Sequence, residues 1–91
     1  MLEIQKLQLT AMASGFEKTT VSGDGTAVWL SGPATNDGTM QTRMCIDLIT
    51  RSATTFWSTD RKFYQGKTFR KSEEMKAWLT DNLKCTDVLS P

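Results

Sequence analysis

Apolar and polar positions alternate along most of this chain and change to a helical spacing near its C-terminus. The alternation is clearest in Gln41–Arg51, QTRMCIDLITR. A period of two there places Met44, Ile46, Leu48 and Thr50 on one face and Arg43, Cys45, Asp47, Ile49 and Arg51 on the other. The first face predicts core and the second meets water. Upstream, Phe16–Ser31 reads as a hairpin: Thr19, Thr20 and Val21 favour a strand, Gly23-Asp24-Gly25 supplies the positive φ values of a tight reversal, and Thr26–Leu30 returns as the second strand. Gly32-Pro33 is expected to stop that strand. Residues 32–40 offer almost nothing to bury and read as an exposed loop, slack rather than contact. Downstream, Ser52-Ala53 marks a turn or bulge and Thr54–Ser58 begins another strand. Thr59-Asp60-Arg61 turns the chain, and Lys62–Gln65 returns antiparallel until Gly66 ends it.

The spacing changes after Lys71. Met75, Trp78, Leu79 and Leu83 recur on one stripe of a helix predicted over 72–84, which must bury itself on the sheet. Ser72 is placed to act as its N-cap, accepting a bond from a first-turn amide, and Glu73 and Glu74 complement the positive end of the helix dipole. Residues 85–91 read as a tail. Leu2–Ala13 is ambiguous. Leu7, Leu9, Ala11 and Ala13 alternate as in a half-buried strand, whereas Ile4 and Leu7 are three apart and the intervening residues are good helix formers. A strand over 3–11 is favoured, broken by Ser14-Gly15. The predicted fold is α+β, a single domain over 1–91 with an antiparallel sheet of about four or five strands and one C-terminal helix packed on one face.

Length limits what that sheet can cover. At 91 residues and 38% hydrophobic the chain supports a single small core. One sheet face is therefore expected to stay open, and function is expected there. The formal net charge of +1 conceals a strong asymmetry: residues 1–42 carry −2, residues 43–71 carry +5, and residues 72–91 carry −2. Six of the eight aromatic side chains also fall between Phe56 and Trp78, so rings and cations share the middle of the chain.

Catalytic readings find little support. Histidine is absent, which removes the commonest general base and the commonest metal ligand. Cys45 and Cys85 are the two cysteines, without CxxC spacing; two ligands cannot close a tetrahedral zinc site, so neither metal nor cofactor is expected. A disulfide between them is disfavoured because nothing marks the chain as secreted. Cys45 lies mid-strand with no base to activate it. Gly66-Lys67-Thr68 lacks the rest of a phosphate-binding loop, and no helix follows Gly23-Asp24-Gly25 to hold a phosphate. No apolar run is long enough to span a membrane and the N-terminal stretch is interrupted by polar residues, so a cytoplasmic protein without membrane contact is expected.

Strand parity and charge together suggest a contact surface. If Val28, Leu30, Phe56 and Phe63 point inward, then Trp29, Trp57 and Tyr64 point outward, on the face of Arg43 and Arg51 and flanked by Arg61, Lys62, Lys67 and Arg70. Trp, Tyr and Arg on an uncovered face have the composition of a protein interface. A small non-catalytic binding module is therefore expected, acting as an adaptor, inhibitor or regulatory accessory protein, with a protein partner or self-association ahead of other partners. Single-stranded nucleic acid is the alternative, since rings stack on bases and cations neutralise phosphates.

Overall fold

A computed structural model describes residues 1–35, 38–59 and 61–82. Helix α1 (Glu3–Ala13) leads into strands β1 (Glu17–Val21), β2 (Ala27–Ala34), β3 (Gln41–Asp47), β4 (Ser52–Ser58) and β5 (Phe63–Phe69), and helix α2 (Ser72–Asn82) follows. The strands form one antiparallel meander in the order β1-β2-β3-β4-β5. The α+β class, the antiparallel sheet and the C-terminal helix agree with the sequence; the N-terminal segment does not, because it is a second helix. Leu83 of the predicted stripe, the tail at 85–91 and Asp60 of the predicted turn lie outside the described residues.

Helix α1 buries Leu7 and Ala11, with Ile4 packed beside them, at a spacing of three and four, and leaves Leu2, Leu9 and Met12 exposed. Apolar residues thus lie on both sides of the helix, and exposed Leu9 and Ala13, interleaved with buried Leu7 and Ala11, produce the misleading alternation. Its two ends are well specified. The Leu2 amide donates to Gln5 Oε1 at 3.1 Å, one half of a capping box. At the C-terminus Gly15 adopts φ 97°, its amide donates to the Met12 carbonyl at 3.1 Å, and the Phe16 amide donates to the Ala11 carbonyl at 3.0 Å. These bonds make a Schellman motif that satisfies carbonyls of the last turn and turns Phe16 into the core.

Both helices cover the same side of the sheet. The core between them and the strands comprises Leu7, Ala11, Phe16, Leu30, Met44, Ile46, Ala53, Phe69, Met75 and Leu79. Helix α2 starts at Ser72, but Ser72 does not accept a first-turn amide as expected. Its own amide donates to Glu3 Oε1 at 2.9 Å, with its hydroxyl at 3.4 Å from the same oxygen. The carboxylate of one helix thus satisfies a free amide at the start of the other, and that hydrogen bond holds the Glu3 carboxyl below its usual value.

Four strand boundaries differ from expectation. Strand β2 passes through Gly32 and Pro33 to Ala34, and glycine at position 32 leaves room for the buried Phe16 ring, with which a Cβ there would clash. Strand β3 ends at Asp47, whose carboxylate accepts the amides of Ile49 (2.9 Å) and Thr50 (3.1 Å) to form a turn with Arg51 at φ 57°. Leu48 and Ile49 are therefore exposed loop residues, not the continuation of a strand. Ser52 and Ala53 open β4, and β5 continues past Gly66 to Phe69.

Candidate functional site: the uncovered sheet face

On the side of the sheet away from the helices, β2, β3, β4 and β5 present Trp29 and Ser31, Arg43 and Cys45, Thr54, Phe56 and Ser58, and Phe63, Gln65 and Thr68. Cross-strand register orders them. One row runs Thr20, Trp29, Cys45, Thr54, Thr68; the next runs Glu17, Ser31, Arg43, Phe56, Gln65; a third runs Gln41, Ser58, Phe63. Three rings cross these rows diagonally. Trp29 and Phe56 lie 5.4 Å apart at 38°, and Phe56 and Phe63 lie 5.0 Å apart at 21°. Such pairs contribute about 0.5–1.5 kcal/mol each beyond their burial.

The sheet curls around this face. Thr19 and Thr20 of edge strand β1 and Phe63 of edge strand β5 line a single cleft with Trp29, Ser31 and Arg43, of volume about 530 Å³. A second hollow of about 490 Å³, bordered by Gly38, Met40, Gln41 and Ser58, shares Ser31 and Arg43 with the first. Arg43 therefore stands where the two meet. Its side chain is exposed and has no ion pair or hydrogen bond among the described residues.

Only part of the predicted surface lies on this face. Trp29 and Arg43 do, on the predicted side. Trp57 and Tyr64 do not: they pair with each other on the helix-covered side, and Trp57 packs on Trp78 of α2 at 5.2 Å. The parity expected for Phe56 and Phe63 is correspondingly reversed, so these two rings occupy the open face in place of Trp57 and Tyr64. The larger indole fills the space between β4 and α2 that a phenyl ring would leave partly empty.

The cations are dispersed. Arg51 sits in the β3–β4 turn and Arg70 between β5 and α2, at one end of the sheet, whereas Arg61 and Lys62 occupy the β4–β5 turn at the other end. A seven-residue strand at about 3.3 Å per residue separates these ends by about 20 Å. Lys67 lies at a bulge of β5 with its ammonium 5.6 Å from the centre of the Phe69 ring. Thr19, Thr20, Ser31, Phe56 and Phe63 escaped the sequence argument. The alternation of Ala53, Thr55 and Trp57 against Thr54, Phe56 and Ser58 carries the information for Phe56, but not which set faces the helices.

Cys45 lies beside Trp29 in the register and is half-buried; burial, and secondarily the Asp47 carboxylate, push its thiol above the usual value. It is thus a poor nucleophile at neutral pH. Among the described residues no helix is long and apolar enough to cross a membrane. No protein-family model matches the chain, and no curated protein or solved structure matches it.

Proposed function

We propose that this chain is a non-catalytic protein-binding module whose contact surface is the concave, uncovered face of the sheet. The observation that carries this reading is the diagonal of rings Trp29–Phe56–Phe63 beside the guanidinium of Arg43, which is unpaired among the described residues. Aromatic and Arg side chains are enriched in the energetic centres of protein interfaces, where a concave pocket excludes water around them. The hydroxyls of Thr20, Ser31 and Ser58 would form a polar surround.

A nucleic-acid face fits less well. Bases stack on ring faces presented to solvent, but Phe56 and Phe63 use theirs on one another. A phosphate backbone also calls for cations along its whole track, and Arg43 is the one cation on the open face among the described residues. The test is affinity capture with the intact chain beside its Arg43→Ala and Phe63→Ala variants, with light scattering for self-association and a labelled oligothymidylate titrated at low salt. A partner or a dimer lost in both variants is expected. Capture that ignores both substitutions, or tight salt-sensitive binding of the oligothymidylate, would overturn the reading.

A further inference from the structure

Given that reading, we infer the chemistry of the partner: an acidic segment that presents an apolar side chain between carboxylates, the apolar group entering the cleft between Trp29 and Phe63 and a carboxylate pairing with Arg43. The cleft sets the first half of this requirement. Its walls are an indole and a phenyl ring, and Phe63 is 55% exposed, a large apolar area to leave in water. A volume of about 530 Å³ admits a bulky side chain with its backbone, well short of a folded element.

Charge sets the second half. Arg43 borders both hollows and is unpaired among the described residues, so its planar fork remains free to take a carboxylate with two parallel hydrogen bonds. Asp47 shares its strand face, but one of its oxygens already accepts the Ile49 and Thr50 amides, and those bonds keep the carboxyl below its ordinary value. Beyond the β4 end of the trough stand Arg61 and Lys62, next to Phe63, with no ion pair among the described residues. An anionic chain leaving Arg43 past Ser58 and Thr59 would run toward these two cations, along the second hollow. A second copy of this chain suits the surface less, because the cleft between Trp29 and Phe63 admits a side chain with its backbone and not the folded face of another sheet.

The probe is a short blocked peptide with a central phenylalanine flanked by glutamates, compared with its glutamine and lysine counterparts and with oligothymidylate, each titrated into isotopically labelled protein. The glutamate peptide should shift the Trp29 indole N–H and the Arg43 Nε–H while leaving the Trp57 and Trp78 indoles in place. Binding should weaken at least tenfold with the glutamine peptide or in Arg43→Gln. Arg43→Glu should reverse the preference toward the lysine peptide, and circular dichroism should confirm that both variants fold. Equal binding of the glutamate and glutamine peptides at Trp29 would overturn the acidic specificity while leaving the protein-binding face intact. Failure of every peptide to move Trp29, or movement by oligothymidylate alone, would overturn both.

Discussion

Thr55→Val tests how the sheet directs its side chains. Thr55 is 1% exposed, and its hydroxyl receives the Lys67 amide at 2.8 Å and donates to the Lys67 carbonyl at 3.1 Å. It thereby holds together the bulge at which β5 places two residues, Gly66 and Lys67, opposite one. Valine keeps the shape and the β-branch, so no cavity opens and the strand preference is retained. What is lost is the acceptor for an amide and the donor to a carbonyl. Leaving a buried group unsatisfied costs about 1–3 kcal/mol. At about 4–8 °C per kcal/mol for a domain of this size, the melting temperature should fall by roughly 4–24 °C. Thermal melts monitored by circular dichroism give the shift, and amide exchange identifies its source: protection at Lys67 should drop before that of Met44 or Ile46. A variant that melts within a degree of the parent with Lys67 still protected would refute the claim that this hydroxyl secures the bulge.

Other substitutions test other contacts. Gly32→Ala drives a methyl group toward the Phe16 ring and the Thr42 hydroxyl, and overpacking of this kind should cost about 1–3 kcal/mol in a urea titration; Phe16→Leu in the same chain should restore part of it. Met75→Ala should lose about 2–5 kcal/mol, because the side chain is fully buried between α2 and the sheet. The Glu3 carboxyl is lowered in the fold from its ordinary 4.5, first by the Ser72 amide, so its contribution is complete above that value and is lost as pH falls through the folded value; melts across this range should show a smaller acid-side decline in Glu3→Gln than in the parent. In a Cys85→Ser background, Cys45 should react with iodoacetamide more slowly than free cysteine at neutral pH, and a faster reaction would contradict its raised thiol value.

Patterns confined to one element were legible in the sequence. Met44 and Ile46 are fully buried as their alternation requires, and Met75 and Leu79 as their helical spacing requires. The hairpin at Gly23-Asp24-Gly25 forms with Gly25 at φ 75°, and Asp24 closes it by accepting the Thr26 hydroxyl, the Ser22 hydroxyl and the Thr26 amide, which bring its carboxyl down to about 2. The N-terminal segment alternates as a strand would, yet its stronger signal is its ending. Ser14-Gly15-Phe16 offers a glycine for the left-handed cap followed by an apolar residue that can turn back onto the last turn, a combination that ends helices.

The contact surface was half legible for a reason that lies between strands. Phe63 and Phe69 are six residues apart, so an uninterrupted β5 would point both rings to the same side. Phe69 is buried against α2, with Trp78 5.6 Å away, while Phe63 stacks on Phe56 across the open face. The extra residue at Gly66-Lys67 reconciles these positions: it shifts the parity once, so that one ring enters the core and the other reaches the cleft. Space at Gly66 permits it, since a Cβ there would lie 2.5 Å from the Thr55 hydroxyl oxygen and 3.0 Å from the Trp57 indole nitrogen. A threonine on β4 and a glycine on β5 therefore act together, and neither strand read alone reveals the shift. The same bulge that secures the core beneath α2 is what turns Phe63 toward Arg43, which is why the buried and the exposed halves of this sheet cannot be altered independently at that point.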